Sequence, residues 1–193
     1  MQLNESTLCV LDFESTGVVA GYPNEPWQIG LVILRDGVVD AASNWEQFMR
    51  IDATRPFNLH APGRHAQLRD MLADAPIREK LLPRLRKYLK ADARVAHNCS
   101  TEQKMLRMIA PMHSFDPWID TLKLAREAWP GLASYALESL VETLQLKERI
   151  EMLVVDRTAH DALYDAVAAA VLLERLCNDG WGNISLQSVI NKS

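Results

Sequence analysis

Residues 27–39 read Trp27-Gln28-Ile29-Gly30-Leu31-Val32-Ile33-Leu34-Arg35-Asp36-Gly37-Val38-Val39. A long apolar run closed by Asp-Gly is a strand entering a two-residue hairpin, since both central turn residues must take positive φ. Working outward, Val38-Val39 begins the return and Trp45 to Met49 carries a third strand. Upstream, Leu8-Cys9-Val10-Leu11 reads as a short buried strand that runs straight into Asp12-Phe13-Glu14. The first fifty residues therefore form an antiparallel meander.

Past Pro56 the period changes. Ile77, Leu81, Leu82, Leu85, Tyr88 and Leu89 recur at three- and four-residue steps, the spacing of a helix face. Pro83 would break one long helix, so it marks the first turn of a second. Arg94 to His97 and Trp118 to Asp120 read as short strands. Helices follow at Met105-Leu106-Ile109, at Leu137 to Leu144 and over the Ala-rich stretch Ala162 to Leu176. Antiparallel strands first and interleaved helices after predict an α/β fold, a mixed sheet flanked by helices.

The 193 residues are 48% hydrophobic and 24% charged, which fits one soluble globular domain with a core large enough to stand without staples. The net charge of −4 and isoelectric point near 5.7 argue, on their face, against a nucleic-acid partner. Placed along the chain, the charge tells another story. Arg64 to Arg107 holds eleven Lys or Arg against five acids, a net of +6, so the remaining 149 residues carry −10. Such a stretch suits a solvated helix face or a surface that tracks a phosphate backbone. Cys9, Cys99 and Cys177 are too few and too scattered for a disulfide framework, and a reducing cytoplasm is their natural setting. No basic, apolar leader opens the sequence, and the longest apolar run, Ala166 to Leu173, is too short for a bilayer, so no membrane partner is expected.

Asp12 and Glu14 do not fit a plain core. Two residues apart on a strand, they point to one face, where like charges resist ionisation unless a cation lies between them. Strand-end acids facing solvent are the bland alternative. Hard carboxylate oxygens suit Mg²⁺ or Mn²⁺. His160 and Asp165, five residues apart, would diverge on one continuous helix. They converge if His160 sits in the preceding loop, with Asp161 capping the helix. His97-Asn98 ends a strand, and Glu102 follows about one turn into the next helix. His97 also suits a satisfied buried histidine, and Glu102 a first-turn acid.

Together, Asp12-Phe13-Glu14-Ser15-Thr16-Gly17, His97-Asn98 with Glu102, and His160 with Asp165 resemble the three motifs of the DEDDh 3′–5′ exonucleases, in order and spacing. The family includes proofreading exonucleases, ribonuclease T and exonuclease X. Asp120-Thr121-Leu122-Lys123-Leu124-Ala125-Arg126, Trp129-Pro130-Gly131 and Gly180-Trp181 look closest to exonuclease X. The resemblance implies a ribonuclease H-like mixed five-stranded sheet flanked by helices. It implies an exonuclease domain over residues 1–180 and a short C-terminal tail over 181–193, with no extension of the kind that tethers a proofreading subunit to a polymerase. One departure stands out: where the family usually has Phe-Asp, this chain has Thr101-Glu102, a longer carboxylate for a tight octahedral site.

The chemistry implied is metal-dependent hydrolysis of phosphodiester bonds. Two Mg²⁺ or Mn²⁺ ions, roughly 4 Å apart, would be held by Asp12, Glu14, Glu102 and Asp165, with His160 as general base. The partner is a DNA or RNA 3′ end, with DNA and single-stranded ends favoured, and the product a nucleoside 5′-monophosphate. By the same resemblance Ser15, Thr16, Gly17, Val18 and Asn98 contact substrate. For Val18 a core position, and for Asn98 a helix cap, are the plain alternatives. Tyr22 and Trp27 are candidate stacking platforms, Trp27 better suited to core packing. An RNA-trimming exonuclease, a catalytically weakened binding module, a homodimer and a polymerase-docked subunit stay open at this point.

Overall fold

The computed structural model describes residues 1–61, 63 and 67–193, so Arg64, which opens the basic stretch, lies outside them. Five strands form one mixed sheet: β1 (Thr7–Ser15), β2 (Pro26–Arg35), β3 (Val38–Phe48), β4 (Ala93–Ala96) and β5 (Trp118–Asp120). Their spatial order is β3-β2-β1-β4-β5. β1, β2 and β3 pair antiparallel, whereas β4 and β5 join parallel to β1 and to each other. Asp36 and Gly37 both take positive φ, 50° and 76°, as the Asp-Gly hairpin demands.

Two of the expected strands prove to be one. β3 runs unbroken from Val38 to Phe48, although its middle, Asp40 to Asn44, is polar. It is an edge strand: Ala41 and Ala42 face water, Ser43 accepts from the Ile33 N–H, Asn44 donates to the Leu153 carbonyl, and an irregular register against Leu31–Ile33 absorbs the awkward segment.

Among the described residues eight α-helices flank the sheet: α1 (Arg69–Asp74), α2 (Leu82–Tyr88), α3 (Ser100–Ile109), α4 (Thr121–Ala128), α5 (Leu137–Thr143), α6 (Lys147–Leu153), α7 (Ala162–Asn178) and α8 (Leu186–Lys192). Pro83 does lie in the first turn of α2, after a 3-10 turn over Arg78–Leu81. Residues 181–193, expected as a tail, carry a 3-10 turn and α8, with Leu186 and Val189 buried in the main core.

Strand parity divides the interior. Leu8 and Val10 face one core with α7; Cys9, Leu11 and Phe13 face another with α2 and α3. Twelve of the seventeen α7 residues are buried, the mark of a core helix rather than an amphipathic surface one. Its alanines let it lie close on β1 and β2. Each large side chain it buries there contributes about 1.5–3 kcal/mol.

Candidate active site

Parity also aims the acids. Asp12 and Glu14 continue the Leu8–Val10 face, so they point toward the α7 side of the sheet, at its first turn. What brings that turn down is Gly30, paired with Asp12 across the β1–β2 ladder. A Cβ on Gly30 would stand 2.2 Å from the Leu163 nitrogen and 2.3 Å from the Ala162 carbonyl. Only hydrogen fits. An isolated glycine inside an apolar strand is the sequence signal for such close backbone approach. We predict that Gly30→Ala displaces the start of α7 and costs about 1–3 kcal/mol, as overpacking does. Urea denaturation checks it, and an unchanged midpoint contradicts it.

Asp161 caps α7, accepting from the Leu163 and Tyr164 backbone N–H groups at 3.1 and 3.4 Å. Its other oxygen accepts from Arg157 at 2.7 Å and Gln28 at 3.3 Å, and Arg157 also pairs with Glu46. Burial alone would raise the Asp161 pKa, but these bonds outweigh it and hold the carboxyl below its ordinary range. The preceding residue, His160, takes a positive φ of 62°, which turns the chain sharply before the helix. The His160 N–H then donates to Asp165 Oδ2 at 3.1 Å, and its Nε2 lies 3.1 Å from Glu138 Oε1 on α5. His160 thus sits in the loop and Asp165 in the helix, the arrangement in which the two can converge.

Donor atoms of Glu14, His160 and Asp165 lie within 4.8 Å of one another. Asp12 and Glu102 do not join that trio as closely; Asp12 feels Glu14 and Asp165 electrostatically, and Glu102 acts on Asp12. Burial, then Asp165, Glu102 and Glu14, push the Asp12 pKa well above its usual value. Glu14 is driven up to about 8 by burial and by Asp165 and Asp161. Glu102 also reaches about 8, through burial and Asp120, and Asp165 about 7, through burial, Glu138 and Asp161. Among the described residues no Lys or Arg pairs with any of the four acids. Glu102 is 4% exposed, and its Oε2 is buried without a hydrogen-bond partner. Buried, mutually repelling oxygens with an orphaned acceptor fit a divalent cation held by carboxylates.

Such groups carry a stability signature. In the cation-free protein their folded pKa values lie above the ordinary 4.5 and 3.8, so the folded state holds protons that the unfolded chain releases. Their contribution is fully present below about pH 4 and is lost as pH rises through 7 to 8. Melting in chelator should therefore fall from pH 5 to 8, and added Mn²⁺ should raise it more at pH 8 than at pH 5. A Mn²⁺ increment independent of pH contradicts this.

The other expected contact residues are placed as follows. Ser15 ends β1, its carbonyl accepting from Trp27 Nε1 at 3.1 Å, and Trp27 is a buried core residue. Thr16 is fully buried, its hydroxyl shared among Asn24, the Glu25 N–H and Arg55. Arg55 in turn binds Glu25 and the Pro23 carbonyl and stacks over Tyr22 at 4.7 Å, so this loop is clamped from below. Gly17 has φ 71°, and a Cβ there would meet Asn58 at 2.7 Å. Val18 is 79% exposed, which removes the core reading. Asn98 takes φ 74° and donates its N–H to Asp120; its side chain caps no helix, the N-cap of α3 being Cys99. His97 is the satisfied histidine, held by Thr121 and the Tyr135 carbonyl. The basic stretch is no single surface: Arg94 is buried, binding the Leu89 and Ala91 carbonyls, and Arg78 pairs with Glu25. Glu138 has no local signature, and the sequence does not assign Asp120 to the site; the tertiary fold brings both to it.

A family model described as exonuclease, of the RNase T type, matches residues 9–173. The chain belongs to this exonuclease family. Its motifs and relatives make it a DEDDh-type 3′–5′ exonuclease, a hydrolase acting on nucleic acids. Exodeoxyribonuclease 10 of Escherichia coli K12 is 30% identical over 175 residues, spanning 90% of this chain and 70% of that protein. The PolC-type DNA polymerase III of Thermotoga petrophila is 33% identical over 146 residues, 73% of this chain but 10% of that polymerase. Exonuclease X, solved in complex with 5′ overhanging duplex DNA, superposes with a TM-score of 0.70 at 28% identity, over 95% of this chain and 98% of that one. The nuclease domain of 3′hExo bound to rAMP gives 0.69 at 16% identity over 92% and 94%, a likeness that speaks for the fold alone. The sheet of this exonuclease is accordingly ribonuclease H-like. Exonucleases of this family depend on divalent metal ions, and its oxygen-rich cluster fits one. Among the described residues no helix is long and apolar enough to cross a membrane.

Proposed function

We propose that this exonuclease shortens DNA from its 3′ ends, single-stranded ends in particular, releasing nucleoside 5′-monophosphates. The observation that carries the reading is the convergence of Glu14, His160 and Asp165 donor atoms within 4.8 Å. Asp12, Glu14, Glu102 and Asp165 would hold the cations, two Mg²⁺ or Mn²⁺ per site. Bound there, divalent cations supply charge neutralisation at the phosphate and lower the pKa of water.

The remaining work falls to the chain itself. Four carboxylates bring the cations and exclude competing anions from the pocket. With Nε2 of His160 against Glu138, Nδ1 is the nitrogen left to take the proton from the attacking water. Glu138 then faces the imidazolium that forms. The water oxygen bonds to phosphorus, the P–O3′ bond breaks, and the departing 3′ oxygen gains a proton from solvent. Ser15, Thr16 and Gly17 fix the loop along the terminal nucleotide, with exposed Val18 against its base and Asn98 beside the backbone. The shorter reach of an aspartate is not needed at position 102, since the Glu102 carboxylate is already buried in the acidic group.

Deoxyribose is favoured because the relatives at 28 and 30% identity named above are an exonuclease solved with DNA and an exodeoxyribonuclease, whereas the nuclease bound to rAMP is 16% identical. The three free cysteines suit a reducing cytoplasm. Oligonucleotides of one sequence, as DNA and as RNA, single- and double-stranded, test the substrate reading. Single-stranded DNA should be shortened fastest; faster loss from RNA would overturn it.

A further inference from the structure

A cluster of exposed cations lies toward the other end of β1 from the acids. Thr7, Arg35, Lys87, Tyr88 and Lys90 line a shallow cleft of about 520 Å³, between the end of α2 and the hairpin end of the sheet. Lys87 and Tyr88 also line a second one, of about 550 Å³, together with Arg84. The two form one trough along α2. Arg84, Lys87 and Lys90 are exposed, and among the described residues no acid pairs with any of them. The one acid at the trough, Asp92, accepts from the Thr7 N–H at 2.8 Å. Tyr88 in its lining is backed by the buried Trp45. Trp45 and Tyr88 stack with centroids 5.9 Å apart, and the Arg84 guanidinium lies 5.0 Å over Trp45.

Its place separates it from the reaction. Thr7 precedes Asp12 by five strand residues, about 17 Å at the rise of an extended chain. It also faces the α2 side of the sheet, whereas the acids face the α7 side. In a chain of net charge −4, four exposed cations against the one carboxylate of Asp92, on a trough lined by Tyr88, form a local exception to the overall sign.

We infer that the trough of Arg35, Arg84, Lys87 and Lys90 is an accessory site for the phosphate backbone of single-stranded nucleic acid, away from the 3′ end being cut. The inference rests on the exonuclease reading above for its choice of polyanion. A strand held there raises the local concentration of long substrates without touching the reacting bond. Short substrates gain nothing.

The test pairs a long ligand with a minimal substrate. Binding of a fluorescent 30-nucleotide single-stranded DNA is followed by anisotropy in divalent-free buffer over a salt series. Hydrolysis of the p-nitrophenyl ester of thymidine 5′-monophosphate with Mn²⁺ reports on the acids alone. In the triple variant Arg84→Ala, Lys87→Ala, Lys90→Ala, affinity for the 30-mer should fall roughly tenfold, and the slope of log K against log salt by about 2, from three lost phosphate contacts. Ester hydrolysis should be unchanged. Lys87→Ala with Lys90→Ala, which spares the Arg84–Trp45 contact, should show about two thirds of the slope change. Unchanged 30-mer binding overturns the proposal, as does an equal loss on ester and 30-mer. Displacement of the 30-mer by poly-glutamate as readily as by polyphosphate overturns it too, reassigning the trough to an acidic protein. A wild type that leaves the ester intact, while the triple variant still loses 30-mer affinity and salt slope, sinks the catalytic reading and upholds the trough.

Discussion

His160→Ala lowers nucleotide release by about two to four orders of magnitude, the usual worth of a positioned general base. The expectation follows from where the loop puts the ring. A positive φ at His160, the Asp161 cap behind it and the N–H bond to Asp165 fix the imidazole beside Glu14 and Asp165. Because its donor atom also lies within 4.8 Å of theirs, a second duty as cation ligand is geometrically open. Mn²⁺ titration separates the two. As a base, His160→Ala loses turnover with Mn²⁺ affinity nearly intact; a parallel collapse of affinity makes the ring a ligand instead. Turnover at the wild-type rate removes both roles.

Asp165→Asn should be as severe, for another reason. It keeps the shape and the bond from the His160 N–H but removes the charge that faces Asp12 and Glu14. Relief of that repulsion makes the cation-free variant more stable than wild type at pH 8, because one of the raised carboxylates no longer ionises there. The stabilisation by Mn²⁺ shrinks, and turnover falls by at least about a hundredfold, in line with losing a preorganised charge at the reacting centre. Differential scanning fluorimetry with and without Mn²⁺ checks the first part. A variant less stable than wild type in chelator would mean that Asp165 is a structural acid.

Much of the site was legible because it obeys local rules. Period-2 parity put Asp12 and Glu14 on one face, and the DG dipeptide set the hairpin. His160 and Asp165, five residues apart, converge only with a loop-to-helix boundary between them, and Asp161 supplies it. What stayed hidden depends on distance in space. β3 was split because its polar middle imitates a loop, yet an edge strand tolerates such residues. The short helices α4, α6 and α8 owe their existence to packing against the core, since so few residues hold little helix on their own. Glu138, Asp120 and the Arg55 clamp reach the site from elements far along the chain. Arg94 shows the converse error of counting charge by segment, for one cation of the basic stretch is buried in the fold.

The most direct trial of the acidic centre is digestion of a 5′-labelled single-stranded DNA 30-mer with Mn²⁺, comparing wild type with Asp12→Asn. Wild type should give a ladder shortening from the 3′ end, with nucleoside 5′-monophosphates accumulating, and chelator or Asp12→Asn should stop it. A wild type that binds the strand yet leaves it full length would contradict the account, and so would an Asp12→Asn variant that trims it at the same rate.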